Sequence, residues 1–162
     1  RLHPNDLKRV IRALEVYRHT GKPISYFQML SKQQPCKYEY AYICLGMNRN
    51  RLYQRIEKRV DKMINNGLVN EVKNLMEMGY NKELTALQAL GYKEIIDYLE
   101  GKYSLEEAVD TLKRNTRHYA KRQLTWFRND KRVFWISVDN YYSLSIMAEN
   151  IIRYAAGKIS LL

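Results

Sequence analysis

The sequence predicts a mainly helical α/β protein that forms the trailing part of a parallel-sheet domain with added helices. Two short apolar runs, 40–45 and 133–138, are rich in β-favouring residues and too short for helices, which is typical of strands buried on both faces. Elsewhere, apolar residues recur at helical spacing. Because two strands cannot form a parallel sheet that is covered on each side, we expect their partner strands to come earlier in a longer chain, as a first residue other than methionine also suggests.

The first predicted helix begins after Asn5, which can act as an N-cap, and ends at Gly21, with Pro23 beyond it. Its apolar residues lie on one side at helical spacing. The opposite side carries the cations Lys8, Arg9 and Arg12. A polar connector is predicted from there through Gln34, before the first strand.

Helical segments fill the region between the two predicted strands. Periodicity predicts a helix across NRNRLYQRIEKRVDKMINNG that ends at Gly67, and another over about 69–78. A shorter helical stretch, LTALQAL, leads into GYKEIIDYLEGK. A capping box at Ser104 predicts a long helix over 105–128, about 36 Å in length. A last helix is expected over 143–156.

The charge balance favours a polyanionic partner. Lysine and arginine outnumber aspartate and glutamate by 28 to 17, which gives a net charge of +11 over 162 residues. RNA, DNA and an anionic membrane surface all suit such an excess. No apolar run approaches the ~20 residues of a spanning helix, and no secretory signal pattern is present. Two cysteines, Cys36 and Cys44, lack the spacing of a metal site and are read as thiols. We therefore expect a cytoplasmic protein, no membrane partner and no metal site in this chain.

The long helix carries an aligned set of cations. Arg114, Arg117, Lys121 and Arg128 fall within a stripe about 60° wide, flanked by Thr125. Four cations over four turns repel one another. The stripe therefore favours nucleic-acid contact. The structural alternative is that its arginines form salt bridges to another part of the protein.

Three segments carry a family resemblance: HPNDLKRVIRALEVYRHTGKP, LQALGYKEI and RHYAKRQLTWFRND. In this order and at these separations they resemble the C-terminal half of the bacterial tRNA dimethylallyltransferase family, and the resemblance continues through VFWISV. That family transfers the dimethylallyl group of dimethylallyl diphosphate to the exocyclic amine of the adenosine 3′ of the anticodon. The resemblance implies a P-loop-like fold, with dimethylallyl diphosphate and the tRNA anticodon stem-loop as partners. We also expect a monomer.

The resemblance implies three segments that contact tRNA. They are Lys8, Arg9, Val10, Ile11 and Arg12; Gln88, Ala89, Leu90, Gly91, Tyr92 and Lys93; and Lys121, Arg122, Gln123, Leu124, Thr125, Trp126, Phe127 and Arg128. Gly91 would let the backbone approach a phosphate or base, with Tyr92 as a stacking surface, although this glycine can also serve only to separate two helices. Trp126 and Phe127 lie toward the apolar side of their helix and are predicted to be core residues rather than base-stacking ones.

Most of the family's catalytic groups are not in this sequence. No GxxxxGK[ST] loop occurs here to hold the donor diphosphate, and the aspartate base and the Mg²⁺ ligands are expected in the preceding half. The resemblance implies one arginine that reaches the diphosphate from the helix after the first strand, and we assign Arg55, with Arg59 second. Alternatively, Glu57, Lys58 and Asp61 make this helix an ordinary salt-bridged surface.

Two other classes of function remain open from the residues alone. One is a non-catalytic helical RNA-binding module, which needs only the basic helix faces. The other is a helical domain that binds an acidic protein partner. The two strands discriminate between these classes and the transferase, because a self-contained module should satisfy its own sheet edges.

Overall fold

A computed structural model describes residues 3–34 and 37–159. The chain divides into two compact units, the first containing the described residues up to Tyr40 and the second spanning Ala41–Gly157. The regular elements are α1 Leu7–Thr20, α2 Ile24–Gln33, β1 Ile43–Gly46, α3 Arg49–Asn65, α4 Leu68–Glu77, α5 Tyr92–Leu99, α6 Leu105–Arg128, β2 Phe134–Ser137 and α7 Leu144–Ala156. Short 3₁₀ turns cover Thr85–Gln88 and Val138–Asn140.

The first unit is built from α1 and α2. The N-cap of α1 is Asp6, one residue later than predicted, because its carboxylate accepts a hydrogen bond from the Arg9 backbone at 3.4 Å. Gly21 ends the helix as predicted, in the left-handed conformation at φ +69°, with its N–H bonded to the Tyr17 carbonyl at 2.8 Å. Both α1 and α2 lack fully buried residues.

The predicted polar connector before the first strand is wrong over most of its length, because α2 occupies it. Pro23 does not block this helix, since proline has no N–H to lose at a helix start and its φ of −67° suits that position. The helix is indicated in the sequence by Ile24, Phe27 and Leu30, which repeat at helical spacing.

The second unit contains the sheet, in which β1 and β2 pair in parallel. Ile43 pairs with Phe134 and Gly46 with Ser137, so the carboxyl ends of the strands lie side by side. Both predicted strands are confirmed, but each is shorter than expected. Burial on both faces is not found in this chain, where Leu45 is 50% exposed. The partner strands expected from an earlier segment stay a prediction.

A helical lobe of α3, α4, α5 and α6 holds the hydrophobic core of the second unit. Its buried members are Val60, Leu68, Val72, Leu87, Ile95, Ile96, Ala108 and Leu112. Helix α6 spans the predicted residues, and the Ser104 capping box is confirmed: Ser104 Oγ accepts from Glu107 N at 3.2 Å, and Glu107 Oε2 accepts from Ser104 N at 2.8 Å. Helix α3 ends at Asn65, two residues before the predicted end at Gly67. Gly67 is the N-cap of α4 and has a φ of +95°.

The remaining predictions concern the smaller features. The stretch LTALQAL forms only a 3₁₀ turn at Thr85–Gln88, whereas the last helix lies within its predicted range. Cys44 is a free thiol on β1, and Cys36 lies outside the described residues. Burial raises the pKa of the Cys44 thiol. Across 3–34 and 37–159, the helices are all too short or too polar to cross a bilayer.

Candidate nucleic-acid interface

The first predicted tRNA-contacting segment lies on α1. Lys8, Arg9 and Arg12 are exposed there. Arg9 pairs with Asp6 at 3.2 Å and Arg12 with Glu15 at 3.4 Å, while their own side chains remain 76% and 70% exposed. Surface pairs of this kind contribute little to stability and exchange readily. These cations are therefore available to a polyanion.

The predicted cationic stripe of α6 is exposed at three of its four positions. Arg114, Lys121 and Arg128 face solvent, and we call these three residues the α6 stripe. Arg117 does not belong to it, because its side chain is only 29% exposed and its Nη1 donates to Glu57 Oε1 on α3 at 2.8 Å. For Arg117 the alternative of a salt bridge therefore holds, because α3 packs along this side of α6, which a wheel of one helix cannot show.

Helix α3 supplies acidic partners to α6. Beside the Glu57 pair, Lys113 Nζ lies 2.6 Å from Asp61 Oδ1. The alternative that α3 is a salt-bridged helix therefore holds for its acidic residues, although their partners lie on α6. Arg55 and Arg59 are exposed, and neither forms an ion pair with the residues that the structure describes. Both arginines remain free to meet an anion.

A cleft of ≈ 360 Å³ between α3 and α6 brings several predicted site residues together. Leu90 comes from the second predicted segment, Gln123 from the third, and Arg59 from α3. The rest of the lining is mainly apolar: Leu52, Ile56, Val60, Met63, Leu112, Thr116, Tyr119 and Ala120. Arg55 is not among the lining residues; it lies one turn nearer the start of α3, and so nearer β1. An apolar cleft with a few polar groups is the usual form of a small-ligand site.

The segment Gln88–Lys93 is held by a buried carboxylate. Glu94 is 1% exposed, and its Oε2 accepts from the Gly91 N–H at 2.9 Å. Its Oε1 accepts from Asn115 Nδ2 on α6 at 2.8 Å and lies 3.5 Å from Lys93 Nζ. This network ties the turn before α5 to α6. Gly91 and Glu94 have the spacing of a capping box. This spacing could have predicted from the sequence that the Glu94 carboxylate caps α5.

Gly91 does more than separate two helices. Its φ of +104° disfavours any side chain, and an added Cβ would lie 3.5 Å from Met63 Cε. The Tyr92 hydroxyl donates to Glu71 Oε1 at 2.5 Å, and this bond is the main cause that raises the pKa of Tyr92. The turn is therefore fixed on both sides, and the contact of Tyr92 with a base stays a prediction.

Trp126 and Phe127 differ in their surroundings. Phe127 is half-buried and meets the Tyr42 ring edge-on at 6.1 Å between centroids. Trp126 is 65% exposed, so its prediction as a core residue is wrong in this chain. Its side of α6 is open to solvent in the part of the chain that the structure describes. The adjacent Arg122 lies 5.7 Å from the centroid of the Tyr119 ring.

The start of α3 is fixed next to the carboxyl ends of the strands. Asp139, just after β2, accepts a hydrogen bond from the Asn48 backbone and pairs with Arg51 Nη1 at 2.5 Å. Ligands of α/β sheets bind at this edge. A parallel strand pair with arginines on the following helix and an exposed cationic stripe defines a basic α/β protein that can bind phosphate groups.

Comparison with known proteins gives the particular family. Residues 1–130 match the family model described as IPP transferase. The chain belongs to this family, whose fold contains a P-loop-like domain.

Individual relatives agree with this assignment. The chain is similar to a tRNA dimethylallyltransferase of Thermoanaerobacter sp. (strain X514), 53% identical over 99% of this chain and 51% of the relative. It is 57% identical to the same-named enzyme of Desulforamulus reducens over 97% of this chain and 55% of the relative. The crystal structure of the full-length tRNA isopentenylpyrophosphate transferase of Bacillus halodurans superposes with a TM-score of 0.73 at 44% identity, covering 97% of this chain and 46% of that one. The chain thus spans about half the length of the curated relatives it matches.

Proposed function

We propose that the protein containing this chain transfers a dimethylallyl group from dimethylallyl diphosphate to the exocyclic amine of the adenosine 3′ of the anticodon. The chain supplies mainly tRNA-binding surface, as the C-terminal part of a transferase whose phosphate-binding loop precedes it. The names of the relatives support the reaction class. The observation that carries the role of this chain is the exposed α6 stripe, whose three cations form no ion pair with any residue that the structure describes.

The proposed partners are the tRNA anticodon stem-loop and dimethylallyl diphosphate, with the protein acting as a cytoplasmic monomer. The complete enzyme is proposed to use Mg²⁺ to offset diphosphate charge. Within the described residues, no three His, Cys, Asp or Glu side chains converge as metal ligands. None of the steps assigned to the residues of this chain uses the ion.

The reaction forms a bond between the adenosine amine and the first carbon of the dimethylallyl group while the bond from that carbon to the diphosphate breaks. The amine proton leaves to the aspartate base proposed in the preceding half. Negative charge develops on the departing diphosphate, and a fixed cation stabilises it more in the transition state than in the ground state. We assign this role to Arg55, with Arg59 second.

Lys121→Ala in the full-length transferase is expected to weaken tRNA binding and to reduce the salt dependence of its affinity by a slope of about one, because one phosphate is no longer neutralised. The measurement is a salt titration of tRNA binding. Lys58→Ala is the matched control, because Lys58 is an exposed cation on α3 outside the proposed site. An unchanged salt dependence of tRNA affinity for Lys121→Ala would show that Lys121 does not contact a tRNA phosphate. Removing Arg117 with Lys121 would be a poorer test, since Arg117 also holds Glu57.

The isolated chain is expected to show no prenyl transfer to tRNA, because it contains no GxxxxGK[ST] loop to hold the donor diphosphate. The measurement is incubation of the isolated chain with unmodified tRNA and dimethylallyl diphosphate, with the full-length protein as the positive control. Turnover by the isolated chain would show that the catalytic assignment is wrong.

A further inference from the structure

A second cleft, of ≈ 210 Å³, lies between the first turns of α3 and the C-terminal half of α6. Arg49, Lys121 and Arg128 supply three cations to its lining, which contains no carboxylate. The remaining lining residues are Met47, Leu52, Tyr53, Leu124 and Thr125. We call this site the basic cleft. Two of its cations belong to the segments that the resemblance implies for tRNA, whereas Arg49 and Tyr53 do not.

The cations of the basic cleft have no counter-charge among the residues that the structure describes, unlike several cations of the same two helices. Arg51 on the same helix pairs with Asp139. On α6, Lys113 and Arg117 likewise each pair with a carboxylate of α3. By contrast, the cations of the basic cleft form no ion pair with any residue that the structure describes. Like charges around one concave surface repel, and a bound anion would remove that repulsion.

Arg49 and Tyr53 are positioned so that both can donate hydrogen bonds to one anion. Arg49 Nε donates to the Tyr53 hydroxyl oxygen at 3.1 Å, and the guanidinium carbon lies 5.2 Å from the ring centroid. This contact fixes the side chain through Nε and leaves its two terminal nitrogens free for a bidentate contact with phosphate oxygens. Because the hydroxyl oxygen accepts from Arg49, the Tyr53 hydrogen is free to donate. Thr125 differs, since its hydroxyl donates to the Lys121 carbonyl at 3.0 Å.

The place of the basic cleft in the fold also suits a phosphate. Met47 follows directly after β1, so the cleft opens beside the carboxyl end of a parallel strand, where such sheets bind ligands.

We propose that Arg49, Lys121 and Arg128 bind one phosphate group in the basic cleft, with the Tyr53 hydroxyl as a further donor. The inference rests on the proposed function for the source of that phosphate. The source is either the tRNA backbone or the diphosphate of the prenyl donor, since both present the same oxygens. Arg49 is then a substrate-binding residue of the transferase.

The test uses the full-length transferase with Arg49→Gln, and Lys58→Gln as the control that removes one exposed charge from the same helix. Binding of unmodified tRNA is measured against salt concentration without donor, and binding of inorganic pyrophosphate by calorimetry. If the phosphate belongs to tRNA, Arg49→Gln weakens tRNA binding several-fold and lowers the salt slope by about one, with pyrophosphate affinity unchanged. If it belongs to the donor, pyrophosphate affinity falls by about tenfold and the tRNA slope stays constant.

Arg49→Gln behaving like Lys58→Gln in both measurements would overturn the proposal. Tyr53→Phe supplies a second, milder variant that keeps the ring and removes only the donor, and it is expected to weaken the same ligand by a smaller factor. Equal melting temperatures of the variants exclude unfolding as the cause. A wild-type protein that binds pyrophosphate through Arg49 but does not prenylate tRNA would defeat the proposed function and leave the basic cleft standing. If the Arg49→Gln variant prenylates tRNA with normal kcat and KM, the proposed function stands and the phosphate-binding role of the basic cleft fails.

Discussion

Replacing Arg55 by alanine in the full-length transferase is expected to lower the single-turnover rate of prenyl transfer by on the order of 10² or more, with tRNA affinity nearly unchanged. A cation beside the leaving diphosphate gains most of its interaction energy as charge develops, so its loss acts on the chemical step. The structure leaves the Arg55 side chain exposed and without an ion pair, so no carboxylate among the described residues competes for it.

Two further variants sharpen the Arg55 test. Arg55→Lys should recover only part of the rate, because an ammonium cannot make the two-pronged contact of a guanidinium with phosphate oxygens. Lys58→Ala removes a neighbouring exposed charge and should leave the rate unaffected. If Arg55→Ala weakens tRNA binding and spares the chemical step, α3 belongs to the RNA surface. Arg59, which lines the apolar cleft, then becomes the candidate for the diphosphate.

Glu94→Ala is expected to destabilise the helical lobe by about 3 kcal/mol or more, measured as faster amide hydrogen exchange in α5 and α6. The change leaves the Gly91 N–H and the Asn115 amide without their acceptor and opens a void at a site that is 1% exposed. The Gly91 turn should loosen with it, so the segment that carries Lys93 should also bind tRNA less tightly.

Glu94→Gln separates the hydrogen bonds from the charge. Its carbonyl oxygen can still accept from Gly91 N–H, and Asn115 can turn its amide over so that its oxygen accepts from the new NH₂ group. We therefore expect the free energy of unfolding to fall by only about 1 kcal/mol.

Asn115→Asp in the wild-type background should be strongly destabilising, because it places two carboxylates next to each other. Adding Glu94→Gln to this variant should restore its stability. A Gln variant as unstable as the alanine variant would contradict this network.

The sequence was most informative where a local signal and a periodic pattern coincide. Helix α6 begins and ends at the predicted residues because the Ser104 capping box and an apolar face without breakers both specify it. The two strands were found from short apolar runs, and their parallel pairing follows from the long helical connection between them. Helix α2 is not predicted from the sequence, because Pro23 is taken there only as the end of the preceding helix. Proline also fits the first positions of a helix.

What the sequence could not supply depends on contacts between distant segments. Arg117 looks like its neighbours on a wheel of α6, and only the packing of α3 places Glu57 beside it, 60 residues away. The Asn115 contact of Glu94 likewise joins residues 21 apart. The basic cleft combines Arg49 of α3 with two cations of α6, so the pattern of neither helix alone indicates it.

The tRNA-binding role proposed for this chain is tested by the initial rate of prenylated-adenosine formation against tRNA concentration. The rate is measured by mass spectrometry of digested tRNA for the full-length protein and its Lys121→Ala/Arg128→Ala variant. We predict a prenylated adenosine 3′ of the anticodon, and for the variant a KM for tRNA raised by about tenfold or more at little cost in kcat. Absence of prenylated adenosine with the wild type, or an unchanged KM for the variant, would show that this chain does not have the proposed role.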